Sequence, residues 1–218
     1  MTTDDAALRF EIERPDEADG TVVVLLHGRG ADRHDLRGLH RHLPAGITLV
    51  TPEAPHPGRP WGYGTGWAWY RYKADDRVVE PTLTDSLDRL ERFLAELPDR
   101  VGMILERVIL GGFSQGGTTS LAYALTRPGQ VAGIAMLSGF LVDAPDAVPV
   151  TDSGAEGLRV FWGHGFADPA IPHALAVRGR ARLDGVGAKL TSRDYPMGHQ
   201  IAPREMDDLA GWMAALDG

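Results

Sequence analysis

The sequence predicts an α/β fold in which a mostly parallel central sheet carries helices on both faces. Near-continuous apolar runs, such as TVVVLL at residues 21–26 and VAGIAML at 131–137, are typical of strands that are buried on both faces. Segments with apolar residues at helical spacing alternate with these runs along the chain. This alternation is typical of βαβ units, in which crossover helices join parallel strands.

The strands follow from short apolar patterns bounded by turn residues. Residues 8–13 alternate Leu, Phe and Ile with polar residues, as a half-buried edge strand does. Residues 21–26 are predicted to form the first central strand, and residues 47–51 form the next one, which Pro52 closes. The remaining strands are predicted at 108–110, 131–137, 158–163 and 188–195.

The helices follow from charge, capping and periodicity. Residues 32–42 are predicted to form a short charged helix with Asp32 as its N-cap. Residues 83–97 carry Leu and Phe at helical spacing, and Pro98 is expected to end that helix. Further helices are predicted at 118–125, 170–183 and 201–216.

Two segments, 53–76 and 141–157, show no periodic pattern and are predicted to be long loops. The chain contains no repeat, no low-complexity tract and no interdomain linker. A length of 218 residues suits one domain of ordinary size. We therefore predict a single domain over residues 1–218 without a large cap domain.

Composition excludes several classes of function. A net charge of −8 argues against a nucleic-acid partner, because phosphate binding requires clustered Lys and Arg. The chain has no cysteine, which excludes disulfides, thiolate zinc sites and a cysteine nucleophile. The acidic N-terminus MTTDDAALRF lacks the apolar core of a secretory signal, and no apolar run approaches the length of a membrane span. The expected location is cytoplasmic.

Residues 112–116 (GFSQG) follow a predicted strand and precede a predicted helix. This context turns Gly-x-Ser-x-Gly into a nucleophile elbow, in which a sharp turn exposes the serine hydroxyl. Glycines flank the serine because side chains there would collide with neighbouring backbone. Ser114 is therefore the candidate nucleophile. The alternative is a glycine-rich turn that merely packs closely.

Polar residues follow other strands of the predicted sheet at the same edge as Ser114. Asp168 follows the strand at 158–163, and His199 follows the strand at 188–195. Because open α/β sheets gather their chemistry at the carboxyl ends of the strands, these side chains are expected to meet. The chain order Ser, Asp, His is that of an α/β-hydrolase triad.

Each role follows from the chemistry of acyl transfer. A serine needs a base within hydrogen-bond reach, and the ordinary pKa of histidine near 6.5 suits that role. Asp168 would hold the imidazole of His199 in one tautomer and stabilise its cation. The backbone N–H groups of Arg29 and Gln115 would form the oxyanion hole, since one lies in the glycine-flanked loop after residues 21–26 and the other follows Ser114.

Other residues compete for these roles. Asp143 and Asp146 follow the preceding strand and are alternatives for the acid, although the short Gly-x-Ala-Asp-Pro turn favours Asp168. His27 and His164 at strand ends are expected to be structural. The histidines at 34, 40 and 42 have spacings that place no pair at i and i+4, so we expect surface residues and no metal site.

Residues 61–72 hold six of the sixteen aromatic residues of the chain. The rings either anchor this loop on the core or wall an apolar acyl pocket over Ser114, and long loops of this kind are often functional. Arg29, Arg59 and Arg71 would add an anion-binding element. The pocket prediction comprises Trp61, Trp67, Trp69, Tyr70, Phe140, Phe166 and Met197.

The stretches LLHGRGADRHDL, GGFSQGG, GHGFADPAIP and MGHQI together resemble the phospholipase/carboxylesterase family of α/β-hydrolases, which includes the acyl-protein thioesterases. The resemblance runs from about residue 21 to the C-terminus. It implies a small, cofactor-free serine hydrolase of esters or thioesters, with Ser114, Asp168 and His199 at the triad positions. It also puts Arg29 and Gln115 at the oxyanion-hole positions. The thioesterase branch usually has an apolar residue at the position of Arg29, and its Trp-Phe motif is shorter than RPWGYGTGWAWYRY.

The sequence thus predicts a serine carboxylesterase that acts on small-molecule esters of short or medium acyl chains through an acyl-enzyme. Acyl-thioesterase or lysophospholipase activity is the main alternative, and a non-catalytic binding module is a further one. No metal or organic cofactor is expected. A homodimer is left open.

Overall fold

The computed structural model describes residues 7–217 of the chain. Residues 1–6 of the acidic N-terminus and Gly218 lie outside the described part. The strands are β1 (Phe10–Glu13), β2 (Thr21–Leu26), β3 (Thr48–Pro52), β4 (His56–Pro57), β5 (Trp67–Ala68), β6 (Tyr72–Ala74), β7 (Arg77–Val78), β8 (Arg107–Phe113), β9 (Gly133–Leu137), β10 (Arg159–Gly165) and β11 (Lys189–Tyr195). The helices are α1 (Glu80–Ala95), α2 (Leu97–Val101), α3 (Gln115–Thr126), α4 (Asp152–Ala155), α5 (His173–Asp184) and α6 (Pro203–Ala214), with 3₁₀ turns at Arg37–His42, Arg59–Trp61 and Ala215–Asp217.

Within residues 7–217, seven strands form one sheet in the order β1-β3-β2-β8-β9-β10-β11. Only β1 runs antiparallel to its neighbour, and the other six strands are parallel. Strand β2 is central and buried along its whole length, because TVVVLL presents apolar groups to both faces. The charged sequence KLTSRDY forms the opposite edge strand, β11, where most side chains stay partly or fully exposed.

Alternate residues of each strand enter two different cores, as the two-residue period of a strand requires. Val22 and Val24 belong to the core that α1, α3 and α5 cover, whereas Val23 and Leu25 belong to the core that α6 covers. Helices therefore lie on both faces of the sheet, and the predicted α/β-hydrolase architecture is confirmed. In the described chain, no helix combines the length and the hydrophobicity that a membrane crossing requires.

Local differences from the predicted elements have physical causes. The helix predicted at 32–42 is a 3₁₀ turn over Arg37–His42, and Asp32 instead accepts a hydrogen bond from the N–H of His34. Arg33 and Arg37 form ion pairs with carboxylates of β1, so tertiary contacts fix this segment. The helix at 83–97 begins earlier and ends at Ala95.

Four further segments also differ from the prediction. Pro98 does not end α1 but lies in the first turn of α2, where a missing N–H costs nothing. Helix α5 begins at His173 rather than at residue 170, because Pro172 has an extended ψ of 132° and disfavours the helical conformation at the preceding Ile171. The loop predicted at 53–76 contains the strand pair β4–β5 and strand β6, which pairs with β7 just beyond the loop. The loop predicted at 141–157 contains the single helical turn α4.

Candidate active site

Ser114 lies between the end of β8 and the start of α3, at the carboxyl edge of the sheet. Its φ of 53° and ψ of −115° are a strained conformation for a residue with a side chain. The turn needs close approach of two backbones, since a Cβ at Gly116 would lie 2.0 Å from the carbonyl oxygen of Leu26. The glycines of the motif therefore allow the turn that holds the Ser114 hydroxyl at the cleft.

Three side chains form one hydrogen-bonded chain across this edge. The hydroxyl of Ser114 lies 2.9 Å from Nε2 of His199, and Nδ1 of His199 lies 2.7 Å from Oδ2 of Asp168. Because the Asp168 carboxylate can only accept, Nδ1 of His199 carries a proton and Nε2 is left to accept from Ser114. The geometry is that of a nucleophile, a base and a group that orients the base.

The carboxylate of Asp168 is held on its other side by backbone donors. Oδ1 accepts hydrogen bonds of 2.8 Å from the N–H groups of both Ala170 and Ile171, and the side chain is fully buried. Charge-assisted hydrogen bonds of this kind are strong in a buried setting. The ring of Phe113 packs at 4.7 Å from the imidazole of His199, which restricts its orientation. Phe113 was missed in the sequence, although it directly precedes Ser114.

His27 supports the loop that carries Arg29. Its Nε2 accepts from the N–H of Ala54 at 3.1 Å, so its Nδ1–H donates to the carbonyl of Gly28 at 2.7 Å. Burial lowers the pKa of His27 to about 4, which keeps the imidazole neutral at ordinary pH. His27 therefore acts as a structural residue that fixes the backbone next to the cleft.

The side chain of Gln115 joins the elbow to the aromatic segment. Its Oε1 accepts from the N–H of Trp69 at 2.8 Å, and its Nε2 donates to the carbonyl of Tyr70 at 2.7 Å. The carbonyl of Trp69 also accepts a hydrogen bond from the hydroxyl of Ser86 on α1. Sequence reasoning used only the backbone of Gln115 and missed this role of its amide, for which the motif offers no signal.

A cleft of about 320 Å³ opens over Ser114 and His199. Its walls combine backbone of the Arg29 loop, rings of the aromatic segment and apolar residues after β9 and β10. Burial raises the pKa of Tyr70 above its ordinary range, so this ring presents a neutral hydroxyl. The lining residues are Gly28, Arg29, Ala31, Asp35, Tyr70, Tyr72, Phe113, Ser114, Gln115, Phe140, Ala170, Ile171 and His199.

Of the seven predicted pocket residues, Tyr70 and Phe140 line this cleft. Trp69 is fully buried beneath it, where its indole N–H donates to the carbonyl of His27. Trp67 pairs through its backbone with Ala31, so it too anchors the loop.

The remaining three residues of that prediction point elsewhere. Trp61 packs against His56 in a tilted arrangement with ring centroids 5.0 Å apart. Phe166 is 59% exposed beside His173, and Met197 is buried in the turn before His199. Sequence periodicity cannot distinguish rings that anchor a loop from rings that line a cleft, since both are apolar.

The competing acids and histidines lie outside the hydrogen-bonded chain. Asp143 and Asp146 are exposed on the loop after β9. His164 is buried, and its Nε2 lies 2.9 Å from the carbonyl of Ile171 and 3.7 Å from Asp168. Burial lowers the pKa of His164, which favours its neutral form. Among residues 7–217, no group of three His, Asp or Glu side chains is arranged to hold a metal ion.

Known proteins share this sequence pattern and this architecture. A family model described as phospholipase/carboxylesterase matches residues 8–216. Acyl-protein thioesterase 1 of Mycosarcoma maydis is 36% identical over 217 residues, which cover 88% of this chain and 89% of that protein. Lysophospholipase-like protein 1 of Mus musculus is 28% identical over 204 residues, which cover 88% of this chain and 84% of that protein.

Among solved structures, a carboxylesterase from Mesorhizobium loti superimposes with a TM-score of 0.82. It is 25% identical in sequence, and the match covers 96% of each chain. The family model spans nearly the whole chain, and the fold agrees with it. The chain therefore belongs to the phospholipase/carboxylesterase family of α/β-hydrolases.

Proposed function

We propose that the protein is a serine carboxylesterase that hydrolyses esters of short or medium acyl chains through an acyl-enzyme. The observation that carries the proposal is the hydrogen-bonded chain from Ser114 through His199 to Asp168, which opens onto a cleft. Membership of a hydrolase family supports the same reaction class. No step of this reaction requires a metal or an organic cofactor.

In the acylation half, the oxygen of Ser114 attacks the ester carbonyl carbon while its proton moves to Nε2 of His199. The backbone N–H groups of Arg29 and Gln115 would then hold the oxyanion, and each residue lines the cleft beside Ser114. The tetrahedral intermediate collapses when its bond to the leaving alkoxide breaks. His199 returns the proton to that oxygen, and the alcohol departs.

In the deacylation half, a water molecule replaces the alcohol. His199 takes a proton from the water as its oxygen attacks the acyl carbon, and the bond to Ser114 breaks in the second collapse. The proton then returns to the serine oxygen, and the carboxylic acid is released. Asp168 stabilises the imidazolium of His199 in both halves.

The size of the cleft supports a short or medium acyl chain. Its volume of about 320 Å³ lies near the lower end of the range of ~300–1,000 Å³ that is typical of ligand pockets. The buried ring of Phe140 forms part of its apolar wall. A long acyl chain would extend beyond these walls into solvent.

Acyl-thioester hydrolysis is the second candidate, because the relative at 36% identity is named an acyl-protein thioesterase. The same three side chains would serve either reaction, since both pass through an acyl-enzyme. The two candidates differ in the leaving atom, so a matched oxygen ester and thioester of one acyl chain separate them. Lysophospholipase activity predicts a preference for long-chain esters of phosphoglycerol instead.

The test is hydrolysis of p-nitrophenyl esters from acetate to palmitate by wild type and by Ser114→Ala. We expect the wild-type rate to peak at short or medium chains and to fall by roughly 10³-fold or more in the variant. Ser192→Ala, at an exposed serine of β11, is the matched control and should behave as wild type. Equal rates in wild type and Ser114→Ala would overturn the mechanism, and a peak at long chains would favour lipid or acyl-protein substrates.

A further inference from the structure

Arg29 lines the cleft beside Ser114, and its positive charge acts on the hydroxyl groups of Tyr70 and Tyr72, which line the same cleft. Its side chain is exposed, and no carboxylate among residues 7–217 lies within ion-pair distance of its guanidinium. The guanidinium carbon instead lies 4.9 Å above the ring of Tyr63. Arg9, Arg33 and Arg180 form ion pairs with carboxylates, whereas Arg29 forms none among the described residues.

The position of this cation is set by the surrounding backbone. The hydroxyl of Tyr63 accepts a hydrogen bond of 2.8 Å from the N–H of Tyr72, which fixes the ring that carries the guanidinium. Gly30 follows with a φ of 80°, and a Cβ there would lie 2.5 Å from the carbonyl oxygen of Tyr63. Loop and ring are therefore packed together, and the contact between Arg29 and Tyr63 restricts the freedom of a long side chain.

The rest of the cleft mouth is compatible with an anionic group. Tyr72 lines the same wall and presents a ring whose hydroxyl donates to the carbonyl of Asp75. Asp35 is the one carboxylate among the lining residues. Its pKa is raised mainly by partial burial and to a smaller extent by the negative charge of the neighbouring Asp32. Arg71, which belongs to the same segment as Tyr72, is exposed and does not line the cleft.

We propose that Arg29 binds a carboxylate on the substrate, so that the preferred class is the monoester of a dicarboxylic acid. This inference rests on the proposed esterase function and names its substrate class. A planar guanidinium can donate hydrogen bonds to both oxygens of a carboxylate, and Arg29 lines the same cleft as Ser114. A substrate whose carboxylate binds the guanidinium of Arg29 and whose carbonyl oxygen occupies the proposed oxyanion hole would have its ester carbon next to Ser114.

The experiment compares two esters with the same acyl length. One is p-nitrophenyl hexanoate, and the other is the mono-p-nitrophenyl ester of adipic acid, in which a carboxylate replaces the terminal methyl group. The measured quantity is the ratio of kcat/KM for the anionic ester to kcat/KM for the neutral ester. A ratio removes any effect of a substitution that acts equally on both substrates.

We expect Arg29→Gln to lower this ratio by roughly five- to twentyfold, because the ion pair forms at a partly solvated cleft mouth. Raising the salt concentration should lower the ratio in wild type and leave it unchanged in Arg29→Gln, since salt screens charges. Arg71→Gln removes a nearby arginine outside the cleft and is the matched control, with the wild-type ratio expected.

The outcomes separate this inference from the proposed function. Ser114-dependent hydrolysis of both esters with the same ratio in wild type and Arg29→Gln would refute the carboxylate site and leave the esterase standing. If the ratio fell as much in Arg71→Gln as in Arg29→Gln, the preference would come from the overall positive charge of this region. That result would also refute a specific carboxylate site at Arg29. Absence of Ser114-dependent hydrolysis of either ester would overturn both proposals.

Discussion

Replacing Glu205 by glutamine is expected to remove a large pH dependence from the stability of the protein. Glu205 lies on α6 and is 0% exposed. One carboxyl oxygen has no hydrogen-bond partner among the described residues, and the other accepts only a 3.4 Å bond from the N–H of Ala202. Burial raises the pKa of this carboxyl from 4.5 to about 8, while the bond from Ala202 acts in the opposite direction.

The direction of the effect follows from proton linkage. Between pH 4.5 and pH 8 the folded protein keeps a proton on Glu205 that the unfolded chain has lost. The stability associated with Glu205 is therefore complete below pH 4.5 and is lost progressively as the pH rises towards 8. Each pH unit in this window corresponds to about 1.4 kcal/mol, so the loss between pH 5 and pH 7.5 is about 3 kcal/mol.

The assay is urea unfolding of wild type and Glu205→Gln at several pH values between 5 and 7.5. The free energy of unfolding of wild type should fall by about 3 kcal/mol relative to the variant over this range. His27 also titrates differently in the folded and unfolded states, but it is present in both proteins and cancels in the difference. Glu205→Met also removes the titrating group, and it serves as a second variant if the amide NH₂ group of glutamine cannot be accommodated at this buried position.

Glu156→Gln removes one exposed carboxyl and controls for the change in net charge. A difference between wild type and Glu205→Gln that stays constant with pH would refute the reasoning, because it would mean that Glu205 is ionised in the folded protein. A difference that grows in the opposite direction would mean that an unrecognised partner stabilises the charged form.

Three further predictions concern the site. Asp168→Asn should lower kcat by roughly 10³- to 10⁴-fold without unfolding the protein, because the amide no longer selects the tautomer of His199. Steady-state kinetics measure the loss of activity, and circular dichroism checks that the fold is retained. Gln115→Glu should lower kcat/KM by roughly tenfold and destabilise the fold by about 1–3 kcal/mol, since a carboxylate oxygen would face the carbonyl of Tyr70; kinetics and thermal melts measure this, with Gln130→Glu at an exposed site as control. Gly116→Ala should cost about 3 kcal/mol or more, because its methyl group would meet the carbonyl of Leu26, and an unchanged melting temperature would contradict the close packing of the elbow.

Much of the fold was predictable because its signals are local. The run TVVVLL is apolar at every position, and β2 has the predicted bounds. The order of Ser114, Asp168 and His199 after successive strands also predicted that they would share one edge, and the structure brings them within hydrogen-bond distance. Their catalytic roles stay a prediction until activity is measured.

The errors of prediction occurred where distant parts of the chain interact. Ion pairs with β1 hold Arg33 and Arg37 and replace the helix expected there by a 3₁₀ turn. The carboxylates that hold these arginines are more than twenty residues away in sequence, and they outweigh local propensity, which is a weak preference.

Strand patterns, glycine spacing and residue order are encoded in the sequence, because they depend on backbone sterics and on neighbours along the chain. They were sufficient for the sheet, the elbow and the three residues that meet at it. The local sequence does not determine which rings of the aromatic segment are buried and which line the cleft. Trp69 is buried under the loop, whereas Tyr70 and Tyr72 line the cleft. That division depends on the hydrogen bonds of Gln115 and on the packing of loops that are distant in sequence, so it emerges only when the chain is folded.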